Sequence, residues 1–567
     1  MHRYGQAVRA YWSDIRTARD FVTLGASKVG RHRNLLTGAA VVVLCGALLI
    51  PAFDAPVSEM DEGALLAYGQ LVTDGAVPGR DFETFYGPGQ PGLLAASFEL
   101  ASPSVTVERA VGLASRLVIF LAIFLIALRW GLLPAAAASG ISVLTMYSVG
   151  VSAFAFWGAL AFALGGLALL MHSSRGSQAP VEGRATGTTA VALAGGISSG
   201  LAILFYTAAA PAVFLASLPL ILRARRSLRR AYAVGFVAGV IPTAVWLAVL
   251  GPDGISQLTG DLSASRPGRQ LPLPGLNTAE GQALLVTLVA TAGMLGTGAL
   301  LWRSPSKGHR GAILLSLGLL ALGLLPQVFQ RADMGHVVSV GCVALAGVPL
   351  LLAEAISARG SVTPIRRRWL LGATAILAVL TAGSVARATG PMLRDEALRS
   401  LGTAHDVSIN GRSVPIRSER AAADLNAILR RLSDISEPGQ SLFVGPRDLR
   451  RTNYADTFVY FLMPELQPAS FYTELNPGAS NSSSSGLAGD LRDADYVLLT
   501  SRWDRWDEPN ASSEYGSEAP SRVVDKLFSP VARAGSYLLY AQDEPSIPSS
   551  ADQGPSSRSE RSVAARF

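Results

Sequence analysis

The residues best suited to chemistry lie in one stretch near the start of the chain. It begins Ser58-Glu-Met-Asp61-Glu62, continues through Tyr68 to Gly75, and turns through Pro78-Gly79-Arg80-Asp81-Phe82 to Tyr86-Gly87-Pro88. Asp61 and Glu62 open a short amphipathic segment whose Leu65, Leu66, Tyr68, Leu71 and Val72 suit a helix lying along a membrane interface. Gly75 ends that helix, and Pro78-Gly79 forces a turn expected to carry Arg80-Asp81 back towards its start. Two carboxylates, Asp61 and Asp81, would then face one cleft, with Glu62 beside them. A partly desolvated carboxylate has its pKa raised and can take a proton from a hydroxyl nucleophile. Plainer roles stand beside this one: Asp61 and Glu62 also suit a helix N-terminus, and Asp81 can simply pair with Arg80.

The frame for these residues is a membrane protein. Of 567 residues half are hydrophobic and only 16% are charged, where a soluble chain carries about a quarter. A membrane helix needs about 20 mostly apolar residues. Candidate spans fall at 35–53, 110–128, 132–149, 152–171, 188–205, 207–222, 231–250, 283–302, 311–329, 336–355 and 369–388. Basic residues crowd the N-terminal segment 1–34, the loop Arg223-Ala-Arg225-Arg226, the loop with Arg303, Lys307 and Arg310, and Arg366-Arg367-Arg368. Counting these spans, all four clusters share one side, which the positive-inside rule makes cytoplasmic. The expectation is a multi-pass protein of the cell (inner or plasma) membrane, with the N-terminus cytoplasmic and the C-terminal region outside. The net charge of +7 thus reflects topology and contacts with membrane lipids rather than nucleic acid. Cys45 and Cys342 both lie in apolar spans and read as small buried hydrophobes, so no disulfide framework or Cys-based metal site is expected.

Loop one, 54–109, is acidic: Asp54, Glu59, Asp61, Glu62, Asp74, Asp81, Glu83, Glu99 and Glu108 stand against Arg80 and Arg109. The loop at 251–282 is rich in Gly and Pro and carries Arg266 and Arg269. A third reads Gln330-Arg331-Ala-Asp333-Met-Gly-His336. Arg and Asp so close to two spans are costly unless paired or wet. From 390 to 545 the pattern changes to a small α/β domain outside the membrane. Helices are expected at 417–433 and 520–528, strands at 442–446, 495–500 and 537–542, and an apolar element at 457–463. The segment 481–486 reads as a flexible loop, and the tail 546–567 as disordered. Asp493-Ala-Asp495 mimics an Asp-x-Asp metal motif, but its place at the entry to a buried strand favours a structural reading. Trp503 and Trp506, with Asp504 and Asp507, could stack on a sugar or merely pack.

The ordered series of loop one, Asp61-Glu62, Tyr68, Gly75-x-x-Pro78-x-x-Asp81-Phe82 and Gly87-Pro88, resembles the GT-C superfamily of membrane glycosyltransferases. It is nearest in kind to the branch of protein O-mannosyltransferases and lipid A aminoarabinose transferases. The motif likeness covers roughly 35–130, and the architectural likeness covers the whole span pattern. It implies a sugar donor carried on polyprenyl phosphate, work on the outer face, and Asp61 on the catalytic acid position. It leaves a divalent metal open, and the C-terminal α/β domain departs from those families. The acceptor, whether envelope glycan, lipid or protein, therefore stays open. Direct attack at the anomeric carbon would invert it. The leaving lipid phosphate needs cations, and Arg331 can chelate it. His336 could add a hydrogen bond, Arg266 and Arg269 could guide the headgroup, and Arg80, Tyr86 and Asp333 could complete the cleft. A transporter or lipid flippase is the alternative, although no internal repeat is visible. A non-catalytic envelope assembly protein is another. Alanine, glycine and arginine richness with few lysines suggests a bacterium of high GC content.

Overall fold

The structure is a computed structural model that describes residues 36–176, 184–358, 364–399, 404–451, 455–504 and 516–543. The segment 1–34, the tail 546–567, Trp506 and Asp507 lie outside the described residues. Every span expected from hydropathy corresponds to a helix. Eight are long and apolar enough to cross a membrane, and three shorter apolar helices (Leu36–Ala47, Leu132–Tyr147 and Thr207–Arg223) accompany them. The chain is a multi-pass helical membrane protein with a C-terminal α/β region.

In chain order, α1 is Leu36–Ala47, and loop one folds as α2 (Asp61–Thr73) and α3 (Gly89–Leu100). The bundle continues as α4 (Val105–Ala127), α5 (Leu132–Tyr147), α6 (Ala155–Gly176), α7 (Arg184–Phe205), α8 (Ala210–Arg223) and α9 (Arg226–Arg269). It closes with α10 (Ala279–Trp302), α11 (Gly308–Gln330), α12 (Met334–Ala344), α13 (Val348–Ser357) and α14 (Pro364–Arg399).

One departure from the sequence reading matters for the site. Residues 251–269, expected as loop, continue α9 as helix beyond a kink at Gly251, whose φ is +67°. Glycine takes that left-handed conformation without a Cβ penalty, and Pro252 is tolerated where a helical segment begins afresh. The extension carries Arg266 and Arg269 to the helix end.

Close helix packing inside the bundle comes from small residues. Gly196 and Gly200 of α7 meet Gly235 and Gly239 of α9, each pair four apart in sequence. A Cβ on Gly200 would lie 2.8 Å from Gly239 Cα, and one on Gly239 would lie 3.0 Å from Gly200 Cα. In lipid, where apolar burial gives no drive between helices, such backbone approach and polar bonds supply the association. Here the bonds run through Tyr232 Oη, which donates to Ser199 Oγ at 2.7 Å and lies 2.6 Å from Ser217 Oγ, tying α7, α8 and α9 together.

Loop one is locked by a buried ion pair. Arg109 Nε donates to Glu62 Oε1 at 2.6 Å and Arg109 Nη2 to Glu62 Oε2 at 3.0 Å. Both side chains are 2% exposed. Arg109 Nη1 also donates to the carbonyls of Phe53 and Ala55 at 2.6 and 2.7 Å. One arginine on α4 thereby fixes both the chain leaving α1 and the start of α2.

The C-terminal region begins with a hairpin, β1 (His405–Ile409) and β2 (Arg412–Ile416). Its turn is Asn410-Gly411, with φ of +50° and +77°, as a two-residue hairpin turn requires. The helix α15 (Glu419–Ile435) follows, then β3 (Ser441–Pro446), α16 (Val459–Leu462), β4 (Gln467–Pro468), α17 (Leu487–Asp490), β5 (Tyr496–Thr500), α18 (Ala519–Leu527), β6 (Phe528–Ala534) and β7 (Tyr537–Gln542). The sheet order is β4-β3-β5-β7-β6, parallel on the β4-β3-β5 side and antiparallel through β7 and β6. The hairpin, β4, α17 and β6 are additions to the sequence reading. The expected apolar element at 457–463 is the single turn of α16. Asn481, at the head of the expected flexible loop, is fully buried and donates to the Arg450 carbonyl at 2.8 Å.

Loop one and the C-terminal region share a core. Val57, Leu66, Ala67 and Phe98 pack with Val414, Phe458, Phe461 and Met463, and Val57 N donates to the Pro415 carbonyl at 2.8 Å.

Two outcomes follow from this packing. Gly239→Leu is expected to destabilise the folded protein by roughly 1–3 kcal/mol or more through overpacking, whereas Gly372→Leu, on an exposed face with no atom within 4 Å of its Cβ position, leaves stability unchanged; thermal unfolding in nanodiscs compares them. Glu62→Gln strands the buried Arg109 charge and is expected to cost about 3–5 kcal/mol. An unchanged unfolding midpoint for Glu62→Gln would show that the pair does not lock the loop.

Candidate active site

A cavity of about 810 Å³ lies between the helix bundle, loop one and the C-terminal region. Four of its cationic or acidic groups sit at the ends of elements. Asp61 is the first residue of α2. Arg269 is the last of α9. Arg331 follows the last turn of α11, and Asp333 caps α12, accepting from the His336 backbone N–H at 2.9 Å.

Asp61 opens onto this space. Ser58 Oγ donates to its Oδ2 at 3.3 Å, and no cation lies within ion-pair distance of it among the described residues. Burial by the cavity walls pushes its carboxyl up, opposed by the charges of Arg331 and Arg269, the Ser58 bond and His336. Arg269 Nη1 donates to Asn476 Oδ1 at 2.8 Å, and its guanidinium stands 5.4 Å from the centre of the Phe85 ring. It thus has a neutral polar partner and an aromatic one. Arg331 is held in place by Asp333, at 2.8 Å, and Asp333 also takes a hydrogen bond from His336 Nδ1 at 2.8 Å. Burial pushes the Asp333 carboxyl up, but His336 and Arg331 outweigh it and bring it down to about 2. Asp333 is therefore an anion throughout the neutral range and orients both Arg331 and His336.

Of the residues singled out in the sequence, Asp61, Glu62, Tyr86, Arg269, Arg331, Asp333 and His336 line this one cavity. Glu62 reaches its wall but is committed to Arg109. Asp81 is not brought to the cavity, contrary to the expected chain reversal. The turn closes on itself instead: Asp81 accepts from Arg80 Nη2 at 2.7 Å and from the Val77 backbone N–H at 2.7 Å. Arg80 and Asp81 are 50% and 36% exposed, and the Arg80 hydrogen bonds hold the Asp81 carboxyl below its ordinary range. Arg266 is exposed and also stands outside the cavity lining. Asp495 accepts from Ser441 N and Oγ, both at 2.7 Å, binding β5 to β3. Among the described residues no group of three or more His, Cys, Asp or Glu side chains is arranged to hold a metal ion.

A second carboxylate of the cavity with no ion-pair partner among the described residues comes from far along the chain. Glu474 lines it from the C-terminal region, and Tyr68 Oη donates to Glu474 Oε2 at 2.9 Å. Two residues on, Asn476 accepts from Arg269 and donates to Glu83 Oε2 at 3.2 Å. The Glu83 backbone N–H donates to the Phe471 carbonyl at 2.7 Å, and Gly268 packs on Pro477. The segment 471–478 is thus wedged between α2 and the end of α9. Sequence reasoning missed Glu474 and Asn476 because the segment has no periodicity; its Asn476-Pro477-Gly478 turn was the only signal. Also lining the cavity, Arg502 Nη2 donates to Glu59 Oε1 at 2.7 Å. The Trp503 ring lies 4.5 Å from the Arg502 guanidinium and, with Arg417, lines the same cavity.

No protein-family model matches the chain. No curated protein matches it. Solved structures do. ArnT from Cupriavidus metallidurans, in a crystal structure bound to undecaprenyl phosphate, is 16% identical, with 89% of this chain and 97% of that one covered and a TM-score of 0.49. The apo form of an oligosaccharyltransferase from Archaeoglobus fulgidus is 10% identical, with 91% of this chain and 75% of that one covered and a TM-score of 0.51. At such identity the likeness is one of fold alone: the chain shares the overall fold of that archaeal oligosaccharyltransferase.

Proposed function

We propose that this chain is a glycosyltransferase that moves a sugar from a polyprenyl-phosphate donor to a cell-envelope glycan, lipid or protein on the outer face of the membrane. The observation that carries the reading is the meeting of a free-standing carboxylate, Asp61, with Arg269 and Arg331 around one cavity at the end of a membrane bundle.

The chemistry follows from the groups present. The planar guanidinium forks of Arg331 and Arg269 suit phosphate oxygens. Asp333 holds Arg331 so that little side-chain freedom is lost when an anion arrives. Tyr147, Phe156 and Trp157 line the bundle side of the cavity and suit the first isoprene units of a lipid. Asp61 takes the proton of the acceptor hydroxyl as its oxygen bonds to the anomeric carbon. The bond from that carbon to phosphate breaks, and its electron pair leaves on the phosphate facing the arginines. This single displacement inverts the anomeric centre. His336, fixed by Asp333 through Nδ1, can donate to the departing phosphate through Nε2 when it is the imidazolium. A flippase would use ionisable groups near the middle of the bilayer, whereas the cavity's Asp61, Arg269, Arg331 and Asp333 sit at helix ends.

The role of Asp61 fixes the sign of the pH dependence. A base works only when ionised, and burial holds Asp61 above the ordinary carboxylate value of about 3.9. Transfer in membranes with labelled polyprenyl-phosphate sugars is therefore expected to fall on the acid side with a midpoint above that value. Asp61→Asn is expected to lower kcat by roughly 10²–10⁴ and to remove the acid limb. Because a raised folded-state pKa disfavours the ionised fold as pH rises, the variant is expected to be no less stable than wild type at neutral pH. Full activity in the variant overturns the assignment. Arg269→Gln is expected to raise the donor KM by about tenfold or more, since a charged hydrogen bond contributes about 1.5–3 kcal/mol; an unchanged donor KM would remove Arg269 from the phosphate site.

A further inference from the structure

We infer that Glu474 is the sugar-reading residue of this cavity, a carboxylate from the C-terminal region that accepts hydrogen bonds from ring hydroxyls of the donor sugar while Arg269 and Arg331 hold its phosphate. The inference rests on the reading given under Proposed function and adds to it a determinant of donor recognition.

The geometry carries the assignment. Glu474 lines the same cavity as Asp61 and Arg269, yet no guanidinium or ammonium group among the described residues lies within ion-pair distance of it. Among the described residues its carboxylate takes one hydrogen bond, from a neutral donor, Tyr68 Oη, to Oε2. Tyr68 is buried and stacked at 5.1 Å on Phe82, so the phenol is fixed. Among the described residues no hydrogen bond is made to Oε1. A carboxylate in a cavity wall held by one neutral bond calls for hydroxyl donors from a ligand. A sugar ring offers them on adjacent carbons. A phosphate does not, since it carries only acceptors once ionised, and two anions in contact would repel.

Position separates this role from that of Asp61. The charge acting most strongly on Glu474 is Arg269, whereas on Asp61 it is Arg331. Asn476 ties Arg269 to the same segment as Glu474, two residues away. A sugar phosphate gripped by Arg269 therefore presents its ring beside Glu474, with Asp61 left for the acceptor hydroxyl. The wedge 471–478 makes Glu474 a built feature: Glu83 and Asn476 are both buried and bonded to each other, and Pro477 packs on Gly268.

The test compares two ligands that differ only in the sugar. Full-length wild type, Glu474→Gln and Tyr68→Phe are placed in nanodiscs, and binding of polyprenyl monophosphate is measured beside transfer from polyprenyl-phosphate sugars. Glu474→Gln is expected to raise the donor KM by about tenfold or more while the affinity for the sugar-free lipid changes by less than about twofold, which also reports an intact fold. Tyr68→Phe, which keeps the ring stack and only loosens Glu474, is expected to raise the donor KM by a smaller factor. An unchanged donor KM in Glu474→Gln overturns the inference, and so does an equal loss of affinity for the sugar-free lipid, which would make Glu474 structural. Should Glu474→Gln not fold, an unchanged donor KM in Tyr68→Phe overturns it. Absence of transfer by wild type from any polyprenyl-phosphate sugar overturns the parent reading instead.

Discussion

The site depends on a charge pair buried at the mouth of the membrane bundle. Arg109 lies one turn into α4, buried where an unpaired charge would be untenable. Glu62 neutralises it through two hydrogen bonds, and the Phe53 and Ala55 carbonyls take a third donor. Geometry then leaves little freedom. The residue beside Glu62 on the helix must project differently, and that residue is Asp61. The two neighbouring acids thus have opposite fates: one is neutralised to hold the loop, and the other faces a cavity without a cationic partner. The same loop also forms part of the core of the C-terminal region, so the lock on α4 indirectly positions that region as well.

Electrostatics in the cavity follow a consistent pattern. Cations that are directly paired with a carboxylate, such as Arg331 with Asp333 and Arg502 with Glu59, are held by it in fixed orientations. Among the described residues Arg269 has Asn476 and Phe85 as partners, and the carboxylates of Asp61 and Glu474 have hydroxyl donors. Desolvation raises both carboxyls. Such unpaired groups of both signs in one cavity cost stability, and they mark places where a ligand completes the bonding.

Much of the architecture was legible in the sequence because its cause is local. Hydropathy over about 20 residues places a helix, and each apolar run has one. The strands 442–446, 495–500 and 537–542 were legible from apolar runs between turn signals, as was the helix at 417–433. What the sequence obscured had competing or distant causes. Gly251-Pro252 reads as a break, yet the pair only kinks α9, and Arg269 reaches the cavity on helix rather than on loop. Pro78-Gly79 does turn the chain, but Arg80 and Val77 satisfy Asp81 within the turn, so no force draws it to Asp61. Glu474 is separated from its partner Tyr68 by 406 residues, and no periodicity links them.

The central claim is that Arg269 and Arg331 receive a lipid phosphate with Asp61 free beside it. Its most direct test is a structure of the full-length protein in a lipid nanodisc with a polyprenyl monophosphate. The account predicts phosphate oxygens within hydrogen-bond distance of the Arg269 and Arg331 guanidiniums, the isoprene chain leaving along the bundle side, and the Asp61 carboxylate unobstructed. A phosphate bound elsewhere, or one that draws neither arginine, would contradict it.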